Sequence, residues 1–521
     1  MVFRTRASPG YVRLPPDVAV AESVARGKGP PGPQRPRKRR PGGETAHRWT
    51  VFLPFRRPIT NGESAVPTAG VIPVNSQHDS RTRRRLLRRS AVALAGTFLA
   101  GCAGSPGEDD DDDANGTTTS TRAETVDPGR TTLRKLGQTR PAAQPPPGGG
   151  YAETAVRADG EYAVLGTKWG TDGTHLIDLA DPASPKAVHY LKSSNDAPNI
   201  DVKFDHRDGL YYRTIERTWP GNFEVVDYGH SAGTPTNPQV VGTVSEGKSH
   251  NVTPHPGKPV LYTVNYGLET NGFDVYDVAD PTAPRKVGQY GPQGACHDIT
   301  VDPEREVLCA AFQAGQFIGF VVYDVSDPRN PSEIGRFDYG SRKSYEQASV
   351  GEEAFGSAHH GHFDPRRDLL FLGDERPFGV PGGKHVFDVG WRDGSLENPV
   401  PVGFTVSPNA RRMEEGKRTE RFDWTGHHFN VVPWGDATLL VSADWHDGVV
   451  VYDVTDPTAP HPVDRYPTAD GADAVTPNDS VAALGTPPMA WKASYNRERE
   501  LVVASDAFTG LYTFELTPRP G

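Results

Sequence analysis

Cysteine is nearly absent. Only Cys102, Cys296 and Cys309 occur in 521 residues, too few for a disulfide framework. Long apolar runs are missing too. The clearest one, Ala91 to Leu99, is too short to span a bilayer. No phosphate-binding glycine loop, no Gly-x-Ser-x-Gly elbow and no zinc-protease helix is present. Positive charge is scarce beyond the first hundred residues. Residues 1–101 carry 19 Lys and Arg against 5 Asp and Glu, whereas residues 102–521 carry 37 against 61, a net charge of −24. Such a surface repels phosphates and excludes nucleic acid as a partner. It resembles the acidic surfaces of proteins from salt-loving organisms.

Glycine and proline are abundant, at 56 and 49 residues. That composition suits a turn-rich β protein better than a helical one.

The chain divides into four parts. Residues 1–79 are Pro- and Arg-rich and read as a disordered leader, with a translation start expected near Val71 or Val74. Residues 80–102 have the layout of an export signal: an arginine cluster, a short apolar run and a small-residue site. Arg83-Arg84-Arg85 followed by Leu86-Leu87 resembles a twin-arginine signal, and Leu99-Ala100-Gly101-Cys102 resembles a lipobox. The resemblance implies export and lipid attachment at Cys102. The protein would then sit on the outer face of the cytoplasmic membrane, its only membrane contact being the anchor. Residues 103–131 are acidic, rich in Thr and Ser, and almost without large apolar side chains, as in a disordered tether.

Residues 132–517 hold a repeat. FDVYDVADPTAPRKVGQY at 273–290 recurs as FVVYDVSDPRNPSEIGRF at 320–337 and VVVYDVTDPTAPHPVDRY at 449–466. HLIDLADPASPKAVHYL at 175–191 is a weaker copy, and 223–244 and 385–406 are degenerate ones. Each copy reads as an alternating strand, an Asp-Pro turn and a second short strand. A strand-turn-strand element precedes each, so one unit is four strands. Tyr276 and Tyr323 lie 47 residues apart, close to the period of propeller blades.

Seven units follow, at roughly 151–191, 196–244, 245–290, 291–337, 338–406, 407–466 and 467–517. The expected fold is all-β: a seven-bladed β-propeller of four-stranded blades. The seventh unit, ending in TGLYTFEL, stops after three strands. LRKLGQ at 133–138 matches the fourth-strand sequence PRKVGQ at 284–289 and should close the last blade from the N-terminal side. The run Val275-Tyr276-Asp277-Val278 with Asp280-Pro281, and its equivalents, resembles the LVIVD-repeat family. That resemblance implies a propeller, generally on exported proteins, and no particular reaction.

Counting first strands from the turn that follows places His250, His297, His359 and His427 at one position in four consecutive units. His250 and His297 are again 47 residues apart. Units one, two and seven place Glu153, Ile200 and Ala490 there, with Asp201 and Trp491 next door. First strands line a propeller's channel, so the four imidazoles are expected to converge on one cavity near a mouth. Asn251, Asp298, His360 and His428 stand beside them as alternative ligands or supports, and His362 shares the strand face of His360. Imidazole suits copper, zinc and iron, and a neighbouring carboxylate fixes a ligating ring. A polar strand head that merely bonds the next loop is the plainer alternative, but four in register favour a site. The arrangement is also similar to that of the selenium-binding protein and methanethiol oxidase group, whose copper site is built from channel-facing His. None of that group's longer motifs is present.

Cys296 and Cys309 read as two buried thiols. His446 is expected in a surface turn at the opposite mouth. Glu352, Glu353, Arg411 and Arg412 sit in the longest insertions, on the mouth of the histidines. The leading reading is a propeller that binds a metal or small ligand, with metal-dependent oxidation as its reaction. The alternatives are a non-catalytic surface module that binds a protein, glycan or small molecule through rim loops, and a hydrolase using a metal-bound water.

Overall fold

The computed structural model describes residues 131–142, 150–168, 172–193, 197–216, 221–341, 355–377, 379–410, 422–477 and 479–518. The expected leader, signal and tether lie outside them, apart from Thr131, as do Cys102, Glu352, Glu353, Arg411 and Arg412.

Seven four-stranded antiparallel sheets form the blades. The channel-side strands are Tyr151–Val156, Val202–Phe204, Ser249–Pro254, Ala295–Asp302, Ala358–Phe363, Phe429–Trp434 and Ala490–Asn496, for blades 1 to 7 in turn. The expected closure is present. Thr131–Thr139 pairs antiparallel with Gly510–Pro518 and becomes the fourth strand of blade 7, with Leu133 opposite Leu516. The ring is therefore sealed by strand pairing between its two ends, which removes a pair of open edges.

The repeated sequence has a local cause at each point. Third strands such as Gly319–Asp324 are buried along almost their whole length because both faces pack against neighbouring blades. Each large apolar side chain buried this way contributes about 1.5–3 kcal/mol. Fourth strands such as Gln239–Val244 are half exposed. The Asp-x-x-Asp-Pro element is a double turn. Asp277 and Asp280 accept the backbone N–H groups of Ala279 and Thr282 at 3.0 and 2.9 Å. Asp324, Asp327, Asp453 and Asp456 do the same in blades 4 and 6. In the degenerate blades a single carboxylate organises a longer loop: Asp227 takes the N–H groups of residues 229 to 233, and Asp388 those of 390, 391, 392 and 394.

The fourth-strand glycine is where one blade meets the next. A Cβ on Gly242 would stand 2.2 Å from the Pro281 carbonyl oxygen, and one on Gly403 2.1 Å from that of Pro457. Only glycine lets the following blade's Asp-Pro turn dock this closely. Gly137 of the closing strand meets Pro182 of blade 1 in the same way, at 2.6 Å.

Candidate metal centre

At the start of the channel-side strands the ladder slips by one residue. In blade 6 His427 N–H donates to the Ala443 carbonyl, and Ala443 N–H donates to the His428 carbonyl, both at 3.0 Å. Two residues thus oppose one, which is a β-bulge. The same break falls between Tyr151 and Thr154, Ser249 and Val252, Cys296 and Asp298, Ala358 and His360, and Ala490 and Lys492. A bulge cancels the usual alternation of strand faces. Both members of each adjacent His pair are consequently buried in the channel.

Two stacked rings result. Backbone bonds from the ends of the second strands fix their register: Lys168 to Gly150, Glu216 to Pro198, Tyr266 to Lys248, Glu375 to Ser357 and Ala507 to Met489. The outer ring is Ala152, Ile200, His250, His297, His359, His427 and Trp491. The inner ring is Glu153, Asp201, Asn251, Asp298, His360, His428 and Lys492. This corrects the linear alignment in two blades. Glu153 belongs with Asp201 and Asp298 in the inner ring, and Trp491, not Ala490, is the equivalent of the histidines. The cause is the extra residue of the bulge, which counting back from the turn ignores.

The outer ring is continuous across blades 3 to 7. Ring centroids are 4.5 Å apart for His250 and His297, 3.9 Å for His297 and His359, 4.5 Å for His359 and His427, and 4.9 Å for His427 and Trp491. On the side of blades 7, 1 and 2 the wall is apolar, with Ala152, Ile200, Met489, Trp491 and Phe508 in one cluster with Phe422 and Trp445.

Among the described residues, two groups at this mouth bring ligand atoms together: His297, His359 and His428, and His359, Glu375 and His427. In each group the ligand atoms lie within 4.8 Å of one another, and all are buried. These residues could hold a metal ion. His359 is common to both and is fully buried. Neither of its nitrogens makes a hydrogen bond, and Nδ1 of His297 and Nε2 of His428 also lack one.

Glu375 is held from two sides. Trp445 Nε1 donates to Oε1 at 3.0 Å and Gln313 Nε2 to Oε2 at 3.2 Å. Tyr266 in turn donates to Gln313 at 2.6 Å. The carboxylate stands 3.5 Å from Nε2 of both His359 and His427. His427 Nδ1–H donates to the Trp491 carbonyl, which leaves Nε2 with its lone pair toward Glu375. Burial drives the His427 pKa down to about 3 and those of His297, His359 and His428 well below the ordinary value, so all four rings are neutral at pH 7.

The remaining expected residues fall into place around this set. His250 does not join either group. Its Nδ1 lies 2.8 Å from Glu216 and its ring stacks on Tyr266 at 4.5 Å. Burial opposes the Glu216 carboxylate, but Lys168 and His250 hold its pKa at about 2. His360 spends both nitrogens on acceptors, Asp298 at 2.6 Å and the Phe429 carbonyl at 3.0 Å, and supports the set from beneath. Asp298, although buried, is held at about 2 by the His360 hydrogen bond. Asp201 accepts Val252 N–H at 2.8 Å and the Lys203 ammonium. Burial raises its pKa to about 6. His362 bonds the Phe363 carbonyl at 2.8 Å, outside both groups. Asn251 lies in the inner ring with its Nδ2 unbonded.

His446 corrects the expectation of the opposite mouth. It sits in the turn Trp445–Asp447, 2.8 Å from Asp423, on the mouth of the histidines. In an antiparallel pair the end of the second strand lies beside the start of the first. The same geometry explains the absence of Glu375 from the sequence reading: it follows Asp374 at such a strand end, as Trp445 follows Asp444. Cys296 and Cys309 are buried free thiols in different core clusters.

A family model described as the LVIVD repeat matches residues 311–339, the end of the second strand of blade 4 and all of its third and fourth. No curated protein matches the chain. Among solved structures, the chain is similar to the hydrazine synthase of Kuenenia stuttgartiensis (11% identity, TM-score 0.47, covering 78% of this chain and 100% of that one). It is also similar to a protein from Lactobacillus plantarum (15% identity, TM-score 0.46, 67% and 90%) and to a functionally unknown protein from Desulfotomaculum acetoxidans (11% identity, TM-score 0.41, 60% and 85%). None of the three likenesses bears on the chemistry of the site.

Proposed function

We propose that this seven-bladed propeller, which carries an LVIVD repeat, is an exported, lipid-anchored metalloprotein with oxidoreductase activity. Its metal would be copper, zinc or iron, copper and iron being the two that support redox chemistry. One observation carries the metal reading. His427 Nε2, an acceptor once Nδ1–H is given to Trp491, faces the Glu375 carboxylate, a second acceptor, at 3.5 Å in a buried site. Two acceptors held face to face repel, although Glu375 Oε1 also takes Trp445 Nε1–H. A cation removes the conflict. His359, with neither nitrogen bonded, stands against the same carboxylate. Neutral imidazoles with a carboxylate are the donor set that borderline metals take.

The surrounding side chains fit that role. Trp445 and Gln313 aim the carboxylate of Glu375, and the Trp491 carbonyl fixes the tautomer of His427. His428 Nδ1 lies 2.8 Å from Glu153 and 3.2 Å from Lys492. An ammonium only donates and a carboxylate only accepts, so the proton on Nδ1 decides which contact holds. Ligation through Nε2 puts that proton on Nδ1 and selects Glu153. The apolar wall of Trp445, Trp491 and Phe422 keeps water from the ligands. A bound redox metal would supply one-electron chemistry to a small substrate. The export reading rests on the arginine cluster at 83–85 and on Cys102 in its lipobox-like context.

The test is elemental analysis of the purified protein after reconstitution with copper, zinc and iron. Wild type should retain stoichiometric metal, and a His297→Ala/His359→Ala variant with native circular dichroism should lose it. Wild type that retains no stoichiometric metal of the three sinks the reading. Radiolabelled lipid incorporated by the wild type and not by Cys102→Ser tests the anchor.

A further inference from the structure

On the far side of the inner ring lies a cavity of about 640 Å³ between blades 1, 2, 6 and 7. That volume falls in the range of small-molecule sites. Its buried end is charged. Lys203 Nζ reaches Glu153 Oε1 at 3.0 Å and the Asp201 carboxylate, and Lys492 Nζ reaches Glu153 Oε1 at 2.9 Å. Asn430 and Ser494 line the wall, and Arg497 and Glu498, of opposite charge, stand exposed at the solvent end.

The two signs at the buried end are not equally available. The Glu153 and Asp201 side chains are each 1% exposed, whereas Lys203 is 22% and Lys492 is 7% exposed. Three of the four carboxylate oxygens are also spent. Glu153 Oε1 takes both ammonium groups, and Asp201 takes Lys203 on one oxygen and Val252 N–H on the other; Glu153 Oε2, 2.8 Å from His428 Nδ1, makes no hydrogen bond. The donors are not. Each ammonium has three N–H groups. Lys203 gives one to Glu153 and one to Asp201, and Lys492 gives at most two, to Glu153 and His428. Each therefore keeps at least one N–H for the cavity. The wall adds little competition: Asn430 is tied to the Phe429 carbonyl and Tyr495 N–H, and Ser494 donates to the Thr154 carbonyl. What the cavity end offers is spare N–H donors on two ammonium groups that are more exposed than the carboxylates they pair with.

We infer that this cavity binds a small anion, a carboxylate or an inorganic oxyanion, on the ammonium groups of Lys203 and Lys492. Its position under His428 places the anion one side chain from the metal ligands. The inference stands without the metal reading, because neither Lys203 nor Lys492 belongs to either group of metal-ligating side chains.

Calorimetric titration of the metal-free protein in low-chloride buffer tests it. The probes are succinate, inorganic phosphate, neutral succinamide and cationic choline. Saturable one-to-one binding of succinate or phosphate is expected, and whichever binds tells carboxylate from oxyanion. Succinamide and choline should not bind. Lys203→Met and Lys492→Met should each weaken anion binding at least tenfold, as should Ser494→Phe, which fills the cavity from its half-buried wall and leaves the charge network intact. If the lysine variants fail to fold, Ser494→Phe decides alone. Absence of binding by both anions overturns the inference, as does equal binding of choline or undiminished binding by the folded variants. Metal uptake is measured separately, so failure here is distinguishable from failure of the metal site.

Discussion

Replacing His359 by leucine separates a ligand from a core residue by the sign of its effect. A buried histidine that packs and bonds stabilises the fold, and its removal costs stability. His359 is fully buried and neither nitrogen is hydrogen-bonded. Each unsatisfied buried polar atom costs about 1–3 kcal/mol. Leucine removes both and buries a comparable apolar side chain, while Glu375 keeps Trp445 and Gln313. In the presence of a chelator His359→Leu should therefore be more stable than wild type by about 2 kcal/mol, offset in part by lost contact with the His297 ring at 3.9 Å. With metal the order should invert. A ligand at a hundred times its Kd adds about 2.7 kcal/mol to wild type and nothing to a variant without its shared ligand. Urea unfolding followed by circular dichroism, with and without metal, measures both. A variant less stable than wild type in chelator by more than about 1 kcal/mol would make His359 an ordinary core residue and refute the argument.

Glu375→Gln removes the carboxylate charge and should lower metal affinity 10- to 100-fold in a competition titration; unchanged affinity would remove Glu375 from the site. Acid should weaken the metal-free fold. The buried imidazoles at 297, 359, 427 and 428 have folded pKa values below 6.5, that of His427 being about 3. In the unfolded chain they protonate at about 6.5. Stability is therefore full above pH 6.5 and falls as pH drops from there toward 3, with His427 alone contributing about 2 kcal/mol of the loss at pH 5 and the other three adding in the same direction. Urea midpoints at pH 7.5 and 5 should therefore differ, and His359→Leu should flatten the slope. Gly403→Ala should destabilise by about 2 kcal/mol or more, because its Cβ would stand 2.1 Å from the Pro457 carbonyl oxygen. A thermal melt unchanged from wild type would mean that the Asp-Pro turn docks more loosely than the structure has it.

The fold was legible because each of its devices repeats. Val275-Tyr276-Asp277 and its copies mark strands buried on both faces, and Asp280-Pro281 and its copies mark turns that a carboxylate closes locally. Even the closing strand announced itself, since Lys135-Leu136-Gly137-Gln138 is a fourth-strand sequence standing at the wrong end of the chain, and Gly137 meets Pro182 as Gly242 meets Pro281. Local turn chemistry and a fixed period are properties of the sequence itself, so they survive being read without coordinates.

The site was legible only in part, and the failure has one physical source. A strand alternates faces, so reading a strand head forces a choice between His359 and His360, or His427 and His428. The bulge abolishes that choice. With His427 and His428 both opposite Ala443, the pair contributes one ligand to each group: His428 joins His297 and His359, while His427 joins His359 and Glu375. A bulge leaves no residue signature here, because it is set by how the first strand enters from the preceding blade. It also displaces the register by one, which moved Glu153 and Trp491 between rings. Glu375 has a plainer signal. It directly follows Asp374, the last residue of a second strand, and antiparallel pairing returns every second-strand end to the mouth where the first strand began. Applied to blades 1 to 3 and 5 to 7, that rule gathers Lys168, Glu216, Tyr266, Glu375, Trp445 and Ala507 at the mouth of the histidines. Of these, Glu375 alone pairs a charge with two fixed donors, Trp445 and Gln313, and two unprotonated Nε2 or unbonded ring nitrogens, those of His427 and His359. A carboxylate braced by two donors against two neutral imidazoles is what lets Glu375, His359 and His427 hold a metal ion, a role that a strand end tying down a loop would not need.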